Sequence, residues 1–335
     1  MRDGEDAIIG VILILEDITN EKWVKSTMAR FITKEIAEQL MEAGEDARGG
    51  PLQKATVLFS DIPRFTSIPE ELGARNTVTM QNEYFTEMIE VVFKNKGILG
   101  KFIGDAIMVV FSPPFPTADD TDNAIIVANR MTEVLREMKR RRRAKGKILV
   151  DIGIGLTSGE LISSNIGSPK WMDYTVISDT VNLAAGLESA TKYYGVAVLA
   201  SEFTVAGSNG QNQFRELDLI VVKGKTEPVA VYEALGHHNT DTFVNMQATL
   251  AAFMEGLALY RQRDWSASLA TFEKALGLRP DDGPSALYRD RCLYYVKNPP
   301  PPDWQGIWEM VSKYTAYSAA IATRIPPPWR SNRPE

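Results

Sequence analysis

Two short apolar runs that flank a Gly-Asp pair constrain this chain of 335 residues more than any other feature. Lys101–Ile103 precedes Gly104-Asp105, and the apolar run Ala106–Phe111 follows it. Gly-Asp suits the two-residue turn of a tight hairpin. The stretch therefore predicts a β-hairpin that presents one carboxylate, Asp105, at a fixed point of an apolar sheet. An ordinary hairpin with a solvated aspartate is the alternative interpretation.

A second strand-like run also ends in an aspartate. Lys54–Ser60 is rich in β-forming residues and is followed directly by Asp61. If the two strands are neighbours, the carboxylates of Asp61 and Asp105 converge. Two adjacent carboxylates repel each other unless cations lie between them, so the pair predicts Mg²⁺ or Mn²⁺. Two such ions about 3.5–4 Å apart suit the attack of an oxygen on a phosphorus atom.

Four motifs resemble those of a single family. They are Phe59–Ile62, Lys101–Ala106, Asp173–Ala184 and Val222–Val229. In this order and at this spacing they resemble the class III nucleotidyl cyclases over residues 52–236. The predicted fold class is α+β: a ferredoxin-like βαββαβ sandwich of the class III nucleotidyl cyclase type, with an N-terminal linker helix and a C-terminal helical extension.

The resemblance implies a catalytic site that contains metal ions. It implies that Asp61 and Asp105 hold two Mg²⁺ or Mn²⁺ ions per site and act in catalysis, with main-chain groups of Ile62 as a further metal contact. Main-chain groups of the turn at Phe65 and Thr66 are expected to contact the nucleotide, because N–H groups at a helix entry suit anions.

The resemblance also implies a nucleotide and a partner. Lys101 and Thr175 correspond to the base-selecting pair of the family, and the lysine favours ATP because guanylyl enzymes usually carry an acidic residue there. Asn182 matches the catalytic asparagine that orients the ribose, and Lys223 matches the lysine that meets the terminal phosphates. In the family these groups come from both subunits, so a homodimer is expected.

One family position departs from the pattern. The family carries an arginine four residues after the asparagine that Asn182 matches, and this chain has Gly186 there. A glycine cannot neutralise charge in a transition state, and losing one such donor costs about 10²–10³ in rate. Trp171 and Ser178 also replace a basic residue and a glycine that are common in relatives, and Lys170 is a candidate substitute for the basic residue.

The segments on either side of residues 52–236 suggest a sensor-linked protein. Residues 1–19 contain an apolar β run that resembles the last strand of a PAS sensor, which predicts an upstream sensor domain in cis; an extra edge strand of the cyclase sheet is the alternative. Residues 20–51 predict a signalling linker helix and a hinge. Residues 241–318 resemble one tetratricopeptide unit, and 319–335 predict a flexible terminus.

Within residues 52–236, periodicity predicts further elements. Pro69–Asn95 and Asp119–Arg143 predict amphipathic helices, and Ile148–Leu156 and Gly159–Asn165 predict two strands. Lys139–Arg143 is interpreted as a solvated helix end that the helix dipole favours.

Composition excludes several classes of function. The net charge of −6 argues against a nucleic-acid partner. No apolar run reaches 18 residues, so no membrane contact by this fragment is expected, although its parent protein is open to membrane anchoring. The single cysteine, Cys292, fits a reducing compartment and a core position, and the predicted location is cytoplasmic.

Two functions from different classes follow. The first is an adenylate cyclase that converts ATP to 3′,5′-cyclic AMP and pyrophosphate at a homodimer interface. The second is a catalytically silent, cyclase-like module that binds nucleotide or a partner, for which Gly186 is the main support. A diguanylate cyclase ranks last because the chain lacks the Gly-Gly-(Asp/Glu)-Glu-Phe hairpin of that class.

Overall fold

One mixed sheet organises the part of the chain that the structure describes. The computed structural model describes residues 52–111, 117–168, 171–221 and 227–302, together with 304, 306, 308 and 309. All of them belong to one compact unit, Arg48–Glu335. The predicted sensor strand, linker helix and hinge, and the predicted flexible terminus, lie outside the described residues.

Nine strands form the sheet within those ranges. They are β1 (Leu52–Asp61), β2 (Ile98–Ile103), β3 (Ala106–Phe111), β4 (Gly153–Ser168), β5 (Trp171–Ile177), β6 (Val198–Ser201), β7 (Phe214–Val221), β8 (Val229–Ala234) and β9 (Trp308–Glu309). Their spatial order is β2-β3-β1-β4-β6-β8-β7-β9, and β5 pairs with β4 off this path. Neighbours are antiparallel except β4 with β6 and β7 with β9, which are parallel.

Helices cover both faces of this sheet. They are α1 (Ile68–Leu72), α2 (Ala74–Lys94), α3 (Asp120–Arg143), α4 (Asp179–Tyr194), α5 (Glu202–Gly207), α6 (Met246–Arg261), α7 (Trp265–Leu278) and α8 (Gly283–Lys297). Side chains alternate along β1, so Leu58 packs with α2 and α3, whereas Val57 and Phe59 pack with α4 on the other face. The predicted α+β fold class is confirmed.

The predicted helix Pro69–Asn95 is in fact two helices. A short helix, Ile68–Leu72, ends at Gly73, and the long helix Ala74–Lys94 starts directly after it. Gly73 has a φ of +76°, which a right-handed helix does not allow and which glycine adopts readily. The apolar periodicity runs through this break, and the prediction therefore missed it.

The two predicted strands Ile148–Leu156 and Gly159–Asn165 are also wrong in their bounds. The structure has one continuous strand, Gly153–Ser168, and its register with β1 is unbroken. The residues between the two predicted strands are accommodated within the sheet: the buried Thr157 hydroxyl lies 2.8 Å from the Ser201 hydroxyl of β6. A satisfied polar pair therefore replaces the expected break.

The basic end of α3 is more buried than predicted. Within Lys139–Arg143, Arg140, Arg141 and Arg143 are exposed, as predicted, but the Arg142 side chain is only 7% exposed, so the prediction is wrong for Arg142. Its guanidinium donates to the carbonyl oxygen of Ile148 at 2.8 Å and to the Glu83 carboxylate at 2.7 Å. The cluster thus helps to join α3 to α2.

Helix α8 is joined to the sheet by two buried ion pairs. Arg215 of β7 donates to Glu233 of β8 at 2.8 Å and to Asp282 at 2.9 Å. Asp282 also caps α8 by accepting from a main-chain N–H. Arg291 of α8 donates to Asp218 of β7 at 2.8 Å. Buried charges of this kind are tolerated only when paired, so these contacts hold this helix against the sheet.

Aromatic packing and a buried thiol complete this helical part. The rings of Phe253 in α6 and Phe272 in α7 lie 5.5 Å apart in an edge-on contact. Cys292 is buried and free, which confirms the predicted core position. The likeness of α6 and α7 to a tetratricopeptide unit stays a prediction. None of the helices in the described residues combines the length and apolarity needed to cross a membrane.

Candidate active site

The predicted hairpin at Asp105 is confirmed. Strands β2 and β3 pair up to Ile103 and Ala106, which leaves Gly104 and Asp105 as the two turn residues. Gly104 has a φ of +66°, the conformation that makes glycine suitable here. Because Ile107 and the rest of β3 are buried, the hairpin fixes the position of the Asp105 side chain at the end of the sheet.

The carboxylates of Asp61 and Asp105 converge, as the sequence predicts. Strand β1 lies antiparallel to β3, with Ser60 opposite Ile107, so the end of β1 meets the start of β3. The main-chain N–H of Ile62 donates to Asp105 Oδ2 at 3.1 Å, which ties the hairpin to the exit of β1. Ile62 itself is only 1% exposed and anchors this exit in the core.

The electrostatics of this pair suit a cation. Burial and, after it, the neighbouring Asp61 carboxyl together raise the pKa of Asp105 to about 7, against the lowering effect of the Ile62 N–H. Burial disfavours the charged form of the carboxyl, and the neighbouring carboxylate adds repulsion that a cation would relieve. No cluster of three or more His, Cys, Asp or Glu side chains occurs among the described residues. Mg²⁺ often uses only one or two carboxylates and takes its other oxygens from water and phosphates, so the pair fits this ion.

The turn after β1 carries two further predicted nucleotide contacts. Phe65 and Thr66 lie in a short 3₁₀ helix, Phe65–Ser67, which Arg64 enters with a φ of 62°. The Phe65 N–H already donates to the Ile62 carbonyl oxygen at 3.2 Å. In this turn, that N–H is therefore engaged within the chain.

Helix α4 carries the predicted Asn182 and the departed position Gly186. Ser178 caps the helix, because its hydroxyl accepts from the Thr180 N–H at 3.0 Å and donates to the Glu160 carbonyl oxygen. The serine that replaces a common glycine is thus a helix cap. Asn182 lies in the first turn and is exposed, and Gly186 follows one turn later on the same side.

The remaining predicted residues lie on separate elements. Lys101 is on β2 opposite Met108, and Thr175 is on β5 opposite Ser164. These two strands are not paired with each other, since β3, β1 and β4 lie between them in the sheet. Lys223 and Lys170 lie outside the described residues, and the side chain of Trp171 is not described.

Sequence reasoning missed two charged residues beside the aspartates. Lys192 Nζ of α4 lies 3.1 Å from Asp61 Oδ2 and 3.3 Å from Glu188 Oε1. Burial alone would lower the pKa of Lys192, but Glu188 and Asp61 outweigh it and raise that pKa. Burial also raises the pKa of Glu188. The available signal was the Glu-Lys spacing of four on one helix, which does not reveal a contact with β1.

Comparisons with known proteins agree with this geometry. The family model described as "Adenylate and Guanylate cyclase catalytic domain" matches residues 49–236. The chain is 29% identical over 283 residues to the terminal-differentiation-specific adenylate cyclase of Dictyostelium discoideum, a match that covers 82% of this chain and 13% of that protein. It is 31% identical over 211 residues to adenylate cyclase 1 of Rhizobium meliloti, covering 63% of this chain and 32% of that protein.

A solved structure gives the same result. The crystal structure of the adenylyl cyclase CyaB from P. aeruginosa has a TM-score of 0.52 and 33% identity, and the match covers 55% of this chain and 94% of that one. The chain spans less than a third of the two curated relatives. From its matched residues and its fold, the chain belongs to the adenylate and guanylate cyclase catalytic domain family, the class III nucleotidyl cyclases.

Proposed function

We propose that the protein is an adenylate cyclase that converts ATP to 3′,5′-cyclic AMP and pyrophosphate. The observation that carries the proposal is the convergence of Asp61 and Asp105 at the end of two neighbouring strands, tied by the 3.1 Å hydrogen bond from Ile62. Family membership and relatives named as adenylate cyclases support the same reaction.

Asp61 and Asp105 hold two Mg²⁺ or Mn²⁺ ions in this proposal, with main-chain groups of Ile62 beside them. When bound, such ions lower the pKa of the ribose 3′-hydroxyl and neutralise charge on the triphosphate. The protein positions the metal ligands in advance, because the buried ends of β1 and β3 hold the two carboxylates in place before any ligand binds. The main-chain N–H of Thr66 lies next to this point and contacts the phosphates in this proposal, whereas that of Phe65 is engaged with the Ile62 carbonyl oxygen.

The nucleotide is selected and oriented by residues on other elements. Lys101 donates a hydrogen bond to adenine N1, and the Thr175 hydroxyl accepts one from the exocyclic amine. This pair favours ATP over GTP. Asn182 is exposed in the first turn of α4 and orients the ribose, and Lys223 meets the terminal phosphates. Asp61 and Asp105 come from one copy of the chain, and Asn182 comes from the other, so each site needs a homodimer.

The chain is proposed to act as the output of a longer, cytoplasmic signalling protein. In that arrangement residues 1–19 belong to the sensor, 20–51 link the sensor to the catalytic residues 52–236, and 241–318 form the helical extension.

The proposal is tested by assaying the purified full chain with ATP and Mn²⁺. We expect cyclic AMP to form, and Asp105→Asn to remove most of the activity because one metal ligand loses its charge. Asp241→Asn, an exposed aspartate before α6, is the matched control and leaves the rate unchanged. The same assay with GTP tests the choice of base. A product level equal to that of Asp105→Asn would contradict the proposal.

A catalytically silent module is the second candidate, and Gly186 favours it. In place of the expected guanidinium, α4 offers no side chain one turn after Asn182. Metal-dependent ATP binding without any cyclic AMP would support this candidate against the first.

A further inference from the structure

The Lys192 ammonium lies beside Asp61, one of the two proposed metal ligands. The ammonium nitrogen lies 3.1 Å from Asp61 Oδ2 and 3.3 Å from Glu188 Oε1, and the side chain is 42% exposed. The contact joins residues 131 positions apart, from the last turn of α4 to the end of β1. It is therefore made by the fold and not by neighbouring positions in one helix.

The position of Glu188 next to Lys192 is fixed by the close packing of α4 on β4. Gly153 of β4 lies opposite Asp61 in the register of the sheet. A Cβ at Gly153 would lie 2.4 Å from Thr191 Oγ1 and 2.9 Å from Glu188 Oε1, so a glycine is needed for α4 to lie this close. The Glu188 side chain is only 8% exposed, and it offers Lys192 a second carboxylate beside Asp61.

We propose that Lys192 is the resident counter-ion of Asp61, held there when no divalent cation is bound and moved towards Glu188 when one binds. The inference rests on the proposed function, because it takes Asp61 to be a metal ligand. Lys192 is then a positioning residue that sets how much free Mg²⁺ or Mn²⁺ the site requires. Glu188 holds the ammonium close to the site in both states.

The physical reason is competition between like charges for one carboxylate. An ammonium within about 4 Å of a divalent ion is repelled by it, and at a half-exposed site the repulsion changes affinity on the order of tenfold. Replacing Lys192 with an uncharged residue therefore makes metal binding tighter. Replacing Glu188 with an uncharged residue makes metal binding weaker, because it removes a negative charge and leaves Asp61 as the only carboxylate beside Lys192.

The test measures Mn²⁺ affinity directly, without turnover. The full chain is titrated with MnCl₂, and free Mn²⁺ is followed by electron paramagnetic resonance in the absence of nucleotide. We expect Lys192→Gln to bind on the order of tenfold more tightly than the wild type, Lys192→Arg to bind as the wild type does, and Glu188→Gln to bind more weakly. Lys94→Gln is the matched control, because it removes another Lys-Glu pair four residues apart, with Glu90 on α2, and leaves affinity unchanged.

The signs separate this inference from a structural role. If Lys192 only stabilised the fold, Lys192→Gln and Glu188→Gln would both weaken binding, and equal or weaker binding by Lys192→Gln overturns the proposal. Thermal melts of each variant identify any that fail to fold, in which case Lys192→Met replaces Lys192→Gln. Cyclic AMP assays on the same samples keep the two proposals apart. If Lys192→Gln binds Mn²⁺ more tightly but no cyclic AMP forms, only the proposed function is contradicted. If cyclic AMP forms and the affinity of Lys192→Gln is unchanged, only this inference is contradicted.

Discussion

Charged groups meet in two regions of this protein, and the two regions treat them differently. Below α8, the Arg215 side chain is 1% exposed and lies between Glu233 and Asp282, so every charge has a partner. At the end of β1, Asp61 and Asp105 converge while both are partly exposed, and the Lys192 ammonium lies beside Asp61.

The pKa values express the same contrast. Burial alone would raise the pKa of Glu233, but Arg215 and His238 outweigh it and lower it to about 2. Burial and the neighbouring Asp61 instead raise the pKa of Asp105 to about 7. The first region is satisfied by the protein alone, and the second leaves negative charge that a ligand can neutralise. The comparison suggests that the first region serves stability and the second serves chemistry.

The largest expected effect is on stability, from breaking the satisfied region. Arg215→Met leaves the carboxylates of Glu233 and Asp282 buried without their cation, and we expect a loss of about 3–5 kcal/mol in the free energy of unfolding. Urea denaturation of the full chain measures it. The matched control is Arg261→Met, which removes an exposed pair with Glu216 and should cost less than about 1 kcal/mol. Equal losses in the two variants would contradict the comparison.

The next effect is on rate, from adding the charge that the second region lacks. Gly186→Arg should raise kcat on the order of 10²–10³ with little change in KM, because the new guanidinium acts on the transition state and not on bound ATP. Initial rates over a range of ATP concentrations measure it. Gly277→Arg places the same side chain on an exposed helix position with open space around it, and kcat should stay as in the wild type. A fall in KM alone would point to a ground-state contact instead.

The smallest effect is a dependence of stability on pH. The pKa of Asp105 rises from 3.8 to about 7 on folding, so the unfolded chain loses this proton first as pH increases. The stability associated with the protonated carboxyl is therefore present below about pH 4 and is lost by about pH 7. We expect the loss to be about 1–2 kcal/mol, since the group is half exposed and solvent screens it.

Thermal melts in the presence of EDTA, from pH 4 to pH 7, measure this loss. Asp105→Asn has no charge to gain at this position, so its stability should change less over the same range. Parallel pH profiles of the wild type and Asp105→Asn would show that folding does not raise the pKa of Asp105.

The sequence predicts those parts of the site that depend on local signals. Gly104-Asp105 specifies a turn by its own chemistry, and an apolar run ending in Asp61 specifies a strand with a carboxylate at its exit. Their convergence required only that the two strands be neighbours, which they are. The break at Gly73 was missed because the apolar periodicity continues through it.

What the sequence did not predict depends on contacts between distant residues. The continuity of β4 through Thr157 was missed because the Ser201 hydroxyl that pairs with Thr157 lies on a different strand. Lys192 and Arg215 look like ordinary surface charges in the sequence, and only the packing of α4 and α8 against the sheet gives them partners. Charged residues are usually solvated, so no local pattern distinguishes the few that are not.

The pairing of β9 with β7 has a practical consequence for anyone who trims this protein. Trp308 and Glu309 lie alongside Ile220 and Val221, so main chain from far beyond the family-matched residues closes that margin of the sheet. A fragment that stopped at residue 236 would leave the main-chain hydrogen-bonding groups of Ile220 and Val221 unpaired at a strand edge. Unpaired strand edges promote aggregation by pairing with other chains. The fragment would also lack Asp282, so Arg215 would lose one of its two buried ion pairs. Any shortened form of the protein made for enzymology should therefore retain the helices and the strand that follow residue 236.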